Sequence, residues 1–134
     1  MSPLAKILVV DDDAEVCEAV AAMLEQGGHQ VVRASRGGAA LRMCRSQSFD
    51  LVITDILMPE VDGLEVLTRL RVERPELRVV ALSGGGAFVD RDYCLRMAER
   101  LGADEVIEKP VRTGDLLELV ARVLARPPRG AVPA

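Results

Sequence analysis

Charged side chains directly follow three short apolar runs of the sequence. Asp11 and Asp12 follow Ile-Leu-Val-Val, Asp55 follows Leu-Val-Ile-Thr, and Lys109 follows Val-Ile-Glu. Runs rich in β-branched residues are typical of buried strands. Because open α/β sheets bind their ligands at the carboxyl ends of the strands, these positions are candidates for a functional site. A hydroxyl, that of Ser83, follows a fourth such run.

Carboxylates gathered at one edge of a sheet raise one another's pKa unless a cation balances them. A hard divalent cation is a suitable counterion. Mg²⁺ typically binds one or two carboxylates and keeps several water ligands, which phosphate oxygens can replace. Ser83 adds a hydroxyl and Lys109 a positive charge. Phosphoryl transfer needs such groups to neutralise the equatorial oxygens, and an aspartate can serve as its nucleophile. The residue types therefore indicate phosphoryl-transfer chemistry with Mg²⁺.

Strand and helix patterns alternate along the chain, which predicts five βα units. Apolar β-branched runs predict the strands, and apolar residues at helical spacing, with Gly or Pro near the ends, predict the helices. The predicted strands are Lys6–Val10, Gln30–Ala34, Leu51–Thr54, Val79–Leu82 and Glu105–Glu108. The predicted helices are Ala14–Gln26, Gly38–Ser46, Leu64–Glu73, Asp90–Leu101 and Gly114–Ala125.

The same alternation predicts the topology. Five βα units favour a flavodoxin-like, doubly wound parallel sheet covered on both faces. Right-handed crossovers favour the strand order 2-1-3-4-5. Strands 1 and 3 are then neighbours, and their ends form one cleft with the ends of strands 4 and 5. Residues 1–125 are expected to form one domain, and residues 126–134, which are rich in proline, a flexible tail.

Composition narrows the class of protein. The chain has 134 residues and a net charge of -4, with one Tyr, two Phe and no Trp. That charge argues against direct nucleic-acid binding, and the scarcity of aromatic residues argues against a base-stacking surface. No membrane span or signal peptide is expected, so the predicted location is the cytoplasm. The widely spaced cysteines Cys17, Cys44 and Cys94 are expected to be small buried hydrophobic residues.

Four motifs together make the chain resemble the receiver domain of two-component response regulators. The resemblance covers about residues 5–125, and all four motifs occur in order and at the spacings of that family. They are Ile7–Asp12, Thr54–Pro59 with Asp62-Gly63, Ala81–Gly84, and Gly102–Asp104 leading to Lys109-Pro110. The resemblance implies a signalling module rather than an enzyme, and a cis peptide bond before Pro110.

The resemblance also implies a metal site and a phosphoacceptor. Asp12 and Asp55 would bind Mg²⁺ directly, with the backbone carbonyl of Leu57 as a further ligand. Asp11 would act mainly through a metal-bound water. Asp55 would accept a phosphoryl group from a sensor histidine kinase or a histidine phosphotransfer protein, and the chain would then signal to an unknown downstream protein.

The resemblance assigns the phosphoryl oxygens to Ser83 and Lys109. The chain departs from the family at Val106, three residues before the lysine, where many receivers carry an aromatic residue. The usual coupled movement of a hydroxyl and a ring cannot operate there. The glycine-rich segment Gly84–Val89 is therefore the expected moving part.

Two alternatives remain open at this stage. The chain could be a receiver fragment of a longer response regulator or hybrid kinase. It could also be a phosphohydrolase with an aspartyl-phosphate intermediate, although such enzymes usually carry a second aspartate where Leu57 stands. Apolar residues of the last helix form a wide stripe, which fits either a buried helix or a homodimer surface of helices 4 and 5.

Three further positions have a structural interpretation. Asp13 is expected to cap the first helix rather than to bind metal, and Thr113 to cap the last one. His29, the only histidine, precedes strand 2 at the end far from the cleft, where a structural role is expected.

Overall fold

The computed structural model describes residues 4–56, 63–84, 91–100 and 102–127. Its strands are β1 (Lys6–Val10), β2 (Gln30–Ala34), β3 (Leu51–Asp55), β4 (Arg78–Ser83) and β5 (Glu105–Glu108). Its helices are α1 (Ala14–Gln26), α2 (Gly37–Ser46), α3 (Gly63–Glu73), α4 (Arg91–Arg100) and α5 (Thr113–Leu124). The described elements thus alternate strictly between strand and helix, as the sequence predicts.

The five strands form one parallel sheet in the order β2-β1-β3-β4-β5. This order confirms the predicted doubly wound topology. Strands β1 and β3 are neighbours, so that their carboxyl ends lie side by side, with β4 next to β3. The edge strand β5 pairs with β4 alone.

Alternating side chains of the central strands fill two apolar layers. Leu8 and Val10 face the layer covered by α2, α3 and α4, whereas Ile7 and Val9 face the layer covered by α1 and α5. Because the sheet is covered on both faces, β1, β3 and β4 are almost entirely buried. Each fully buried aliphatic side chain stabilises the fold by about 1.5–3 kcal/mol, so these strands hold the functional edge rigidly.

Strands β3 and β4 each extend beyond their predicted carboxyl ends by one residue. Asp55 is paired in register with Leu82, and Ser83 with Glu108. The parallel ladder therefore continues through both polar residues, although the prediction from sequence had them just after the strands. As a result, the backbones of Asp55 and Ser83 are fixed by the sheet rather than carried by a loop.

The last helix differs from the prediction at its start. Arg112 is the N-cap residue, with an extended backbone (φ -104°, ψ 141°), and Thr113 is already helical. Thr113 is therefore not the cap, and the N-cap residue makes no side-chain capping hydrogen bond. Most of the apolar stripe is buried against the sheet and α1, with Leu117 half-buried beside Gly27. This packing supports the buried-helix interpretation of the stripe.

Local signals at both ends of α1 and at the end of α4 are confirmed. The side chain of Asp13 accepts hydrogen bonds from the backbone N–H groups of Glu15 (3.0 Å) and Val16 (3.3 Å). Gly28 and Gly102 follow α1 and α4 with positive φ angles of 89° and 97°, a conformation that costs glycine little. His29 is buried, and its Nδ1 accepts the N–H of Ala5 at 3.1 Å, which fits a structural role.

The two described cysteine side chains are buried and free. Burial raises the pKa of Cys44 to about 11, and burial together with the charge of Asp11 raises the pKa of Cys17. Both are therefore inert packing residues. The side chain of Cys94 lies outside the described part of the chain.

Several predictions concern residues that the structure does not describe. These are Leu57, the segment 85–89 and residues 128–134. Arg126, the first residue of the predicted tail, makes hydrogen bonds to β5 and β4; the flexible tail itself stays a prediction. Among the described helices, none has the length and apolar character needed to cross a membrane.

Candidate functional site

Three carboxylates converge at the carboxyl end of the sheet. Asp11 and Asp12 follow β1, and Asp55 is the last residue of β3. One carboxylate oxygen from each lies within 4.8 Å of the others. Asp11 is fully buried and Asp55 is 7% exposed, whereas Asp12 is open to solvent. The sequence therefore predicted this cluster correctly.

The backbone around Asp11 explains why it points into the cleft. Its N–H donates to the carbonyl of Ala34 at 3.2 Å, which continues the pairing of β1 with β2 by one residue. Its Oδ1 accepts the N–H of Asp13 at 2.9 Å and closes the turn into α1. Its Oδ2 is buried and, among the described residues, accepts no hydrogen bond of good geometry. One oxygen thus organises the turn, while the other faces the cluster.

Lys109 supplies the positive charge that faces these carboxylates. Its Nζ lies 2.9 Å from Asp11 Oδ2 and donates a hydrogen bond to Asp55 Oδ2 at 3.0 Å. Burial by itself lowers the pKa of Lys109, but the hydrogen bond to Asp55 and the nearby charges of both carboxylates outweigh it and raise that pKa above its usual value. Lys109 therefore stays charged and bridges β1 and β3.

Ser83 lies at the last position of β4, one strand away from Asp55. It is buried, and its carbonyl accepts the N–H of Lys109 at 2.8 Å. A Cβ atom on the next residue, Gly84, would stand 3.3 Å from Cδ of Lys109. The backbones of Ser83 and Gly84 thus position the lysine stem, and the peptide bond between Lys109 and Pro110 is cis, as expected.

The donor set fits a hard divalent ion. Three carboxylates offer oxygen ligands. In the part of the chain that the structure describes, the buried Oδ2 of Asp11 faces the Lys109 ammonium without good hydrogen-bond geometry. Mg²⁺ prefers oxygen ligands and tolerates few carboxylates. Asp11, Asp12 and Asp55 are therefore compatible with such an ion, whereas Leu57 lies outside the described residues.

An open groove of about 370 Å³ adjoins this cluster. It runs between α1 and the segment that follows β5, and its surface is mainly apolar. Its lining includes Val16, Ala19, Met23, Lys109, Pro110 and Val111. Lys109 thus connects the carboxylate cluster to an apolar surface that a second molecule can reach.

Sequence reasoning missed the ion pairs that Lys109 makes with both carboxylates. The available signal was composition, since Lys6 and Lys109 are the only lysines among 17 basic residues. A compact ammonium fits between two carboxylates where a forked guanidinium would not.

At Val106, the half-buried side chain packs against the apolar layer under α2, α3 and α4.

A family model described as response regulator receiver domain matches residues 7–121. The chain belongs to the response regulator receiver domain family. Receiver domains are signalling domains of two-component systems, and members of the family receive phosphoryl groups from histidine kinases. The fold and the recognised motifs are thereby confirmed for this receiver.

Curated relatives show the same relationship at moderate identity. The receiver is 40% identical over 118 residues to the response regulator protein FleR of Pseudomonas aeruginosa, covering 88% of this chain and 24% of that protein. It is 31% identical over 121 residues to the alkaline phosphatase synthesis transcriptional regulatory protein PhoP of Bacillus subtilis, covering 90% of this chain and 49% of that protein. The receiver therefore spans about a quarter of one relative and about half of the other.

A solved structure of similar size supports the same assignment. The receiver domain protein from Clostridium thermocellum matches with a TM-score of 0.81 and 33% identity, covering 90% of this chain and 94% of that one. The larger NtrX from Brucella abortus matches with a TM-score of 0.84 and 34% identity, covering 91% of this chain and 27% of that one.

Proposed function

We propose that this receiver accepts a phosphoryl group on Asp55 and thereby signals to another protein. The observation that carries the proposal is the convergence of Asp55 with two further carboxylates and the Lys109 ammonium. The like charges make the cluster unfavourable without a cation, so its arrangement is better suited to a ligand than to stabilising the fold. The ammonium lies where it can also meet phosphoryl oxygens.

The proposed reaction transfers the phosphoryl group between two side chains. A carboxylate oxygen of Asp55 attacks the phosphorus of a phosphohistidine on the donor protein. The P–N bond breaks as the new P–O bond forms, and the imidazole nitrogen leaves with the bonding electron pair and takes up a proton. The product is an aspartyl phosphate on this receiver and a free histidine on the donor.

Lys109 and Ser83 would hold the transferred group. When Asp55 becomes an acyl phosphate, the ammonium of Lys109 can turn from the carboxylates to the phosphoryl oxygens with a small movement. The hydroxyl of Ser83 would donate a charge-assisted hydrogen bond to another of these oxygens. Both contacts neutralise charge that develops during transfer.

The metal proposal assigns Mg²⁺ to the three carboxylates. Asp12 and Asp55 would ligate it directly, Asp11 through a water, and the carbonyl of Leu57 would be a further ligand. Bound Mg²⁺ would supply positive charge beside the phosphoryl oxygens. The exposure of Asp12 leaves an open side to the cluster through which an ion can enter.

The proposed partners follow from this chemistry. A sensor histidine kinase or a histidine phosphotransfer protein would donate the phosphoryl group, and the apolar groove beside Lys109 offers a surface on which it can dock. The downstream target would be a protein, reached in the cytoplasm. Because this receiver covers only part of each relative, the activities of those whole regulators are not assigned to it.

Phosphorylation by a small donor tests the proposal. Acetyl phosphate with Mg²⁺ should add one phosphoryl mass to the wild-type protein, measured by intact-protein mass spectrometry. The variant Asp55→Asn should gain none. Omission of Mg²⁺ should prevent labelling of the wild type.

A matched control is available at the other end of the same strand. Asp50 precedes β3, and its carboxylate accepts the N–H of Lys6 at 2.8 Å. Asp50→Asn should therefore label as the wild type does. Undiminished labelling of Asp55→Asn, or equal loss in both variants, would contradict Asp55 as the phosphoacceptor.

A further inference from the structure

The amino end of the sheet, opposite the carboxylate cluster, carries a second set of charged contacts. Nη1 of Arg126 donates to the carbonyl of Asp104 at 3.1 Å, and its Nη2 donates to Glu105 Oε1 at 2.6 Å. Arg126 is also an acceptor, since Nη2 of Arg78 donates a hydrogen bond to its backbone carbonyl at 2.6 Å. The side chain and the backbone of Arg126 are thus both held. We call Arg78, Glu105 and Arg126 the latch.

The latch joins Arg126, the second residue after α5, to two neighbouring strands. Arg78 is the first residue of β4, and Glu105 is the first residue of β5. Arg122 on the last turn of α5 also faces Glu105, at a longer distance of 3.5 Å. The end of α5 is therefore seated on the amino ends of β4 and β5.

The same two strands carry site residues at their other ends. Ser83 is the last residue of β4, and Lys109 directly follows β5. Each strand therefore has one residue of the latch at its amino end and one residue of the candidate site at its carboxyl end. The two strands remain paired at both ends, since Asp104 N–H donates to Val79 O at 2.7 Å and Lys109 N–H donates to Ser83 O at 2.8 Å.

Strand β5 depends on these end contacts more than the other strands near the site. It is an edge strand of four residues, and all four are only half-buried, whereas β3 is buried throughout. Charged contacts to Asp11 and Asp55 hold its carboxyl end, and charged contacts to Arg126 and Arg122 hold its amino end. A weakly buried strand held at both ends can respond as a unit when one end is released.

We propose that β4 and β5 couple the carboxylate cluster to the latch, so that a change in the contacts of Lys109 alters how firmly the end of α5 is held. This coupling rests on the proposed function only for its natural trigger, the arrival of an ion or phosphoryl group. It would give the site a readout about one strand length away. Coupling of this kind is reciprocal, so opening the latch must also change the affinity of the site.

Amide hydrogen exchange of residues 122–127 tests the latch. Arg126→Gln and Arg78→Gln should each raise that exchange about tenfold, since each removes hydrogen bonds at a half-exposed position. The matched control is Arg69→Gln, which removes an exposed ion pair with Glu65 on α3 (2.8 Å). This control should leave residues 122–127 unchanged.

Lys109→Met tests the coupling without any phosphorylation. Exchange at residues 105–108 and 122–127 should rise about fivefold more than at residues 51–54 of β3, whose exchange reports the general loss of stability; fivefold is the low end of allosteric couplings. Saturating the wild type with Mg²⁺, which would compete with Lys109 for the carboxylates, should raise exchange in the same two segments. The reciprocal measurement is the Mg²⁺ affinity of Arg126→Gln. This affinity should change by the same factor by which saturating Mg²⁺ changes exchange at residues 122–127 of the wild type.

Each outcome decides the proposal. Unchanged exchange at residues 122–127 in Arg126→Gln would show that no latch exists. A response to Arg126→Gln but none to Lys109→Met or Mg²⁺ would show that the latch is independent of the site. An equal rise in β3 would mean general destabilisation and would also overturn the coupling. Failure of Asp55 labelling with an intact response to Lys109→Met would refute the proposed function and leave the latch standing.

Discussion

Asp50 and Asp104, at the amino end of the sheet, accept backbone N–H groups of Lys6 and Val79 at 2.8 and 2.7 Å. At the carboxyl end, Oδ2 of Asp11 and Oδ2 of Asp55 both face the ammonium of Lys109. The carboxylates at the amino end therefore complete the hydrogen bonding of the backbone. Those at the carboxyl end concentrate negative charge around the ammonium of Lys109.

This contrast separates two uses of one residue type. A carboxylate that accepts a backbone N–H stabilises the fold directly, because the N–H would otherwise lose its partner. Carboxylates that repel one another are tolerated where a ligand will relieve them. Neutralising a carboxylate should consequently lower stability at the amino end and raise it at the carboxyl end.

The largest expected effect is on the balance of charge at the carboxyl end. Lys109→Met should lower the free energy of unfolding by about 3 kcal/mol, because it leaves two close carboxylates without their cation. Chemical denaturation in metal-free buffer measures this. Mg²⁺ at ten times its dissociation constant should return about 1.4 kcal/mol. If Mg²⁺ did not raise the free energy of unfolding of Lys109→Met, then Lys109 and Mg²⁺ would not share one cation site.

A smaller loss is expected at the amino end. Asp104→Ala should reduce the free energy of unfolding by about 2 kcal/mol, since the N–H of Val79 loses a half-buried acceptor. Asp50→Ala should lose less, about 0.5–1 kcal/mol, because Asp50 is exposed. Mg²⁺ should leave both values unchanged. A larger effect at Asp50 than at Asp104 would be inconsistent with these hydrogen bonds.

Two adjacent residues sharpen the comparison within the carboxyl end. Asp12→Ala should weaken Mg²⁺ binding about tenfold, equivalent to about 1.4 kcal/mol, measured by calorimetric titration. Asp13→Ala should bind Mg²⁺ normally but lose about 1 kcal/mol of stability, because Asp13 caps α1. Equal Mg²⁺ binding by both variants would show that Asp12 is not a ligand.

The smallest expected effect concerns pH at the amino end. Burial lowers the pKa of His29, and its neutral Nδ1 accepts the N–H of Ala5. The folded state therefore binds fewer protons than the unfolded state near pH 6.5. Stability from His29 is complete above that pH and is lost as the pH falls through the lowered pKa. In His29→Gln this slope should disappear from a series of denaturation curves; an unaltered slope would assign it to other groups.

Most of the fold and of the carboxylate cluster could be predicted because their signals are local. The apolar runs before Asp11, Asp55 and Lys109 define strands, and parallel strands bring their ends together. A helix start is less certain from sequence, since Thr113 and Arg112 are distinguished only by backbone conformation.

Contacts between distant residues could not be predicted in this way. The bond from Arg78 to Arg126 joins residues 48 positions apart, and Asp104 contacts Val79 from 25 positions away. No periodicity or turn signal encodes such pairs, because they depend on how α5 ends relative to the sheet edge. The ion pairs of Lys109 are similar: the motif gives its position but not its partners.

One comparison tests most directly whether the carboxyl-end carboxylates are placed for a ligand. The free energy of unfolding of wild type and Asp55→Asn is measured at neutral pH without metal and then with saturating Mg²⁺. Without metal, Asp55→Asn should be more stable by about 1 kcal/mol, because one repelling charge is gone. With Mg²⁺, the wild type should gain more than the variant and close the gap. A variant that is less stable without metal, together with equal gains from Mg²⁺, would contradict the account.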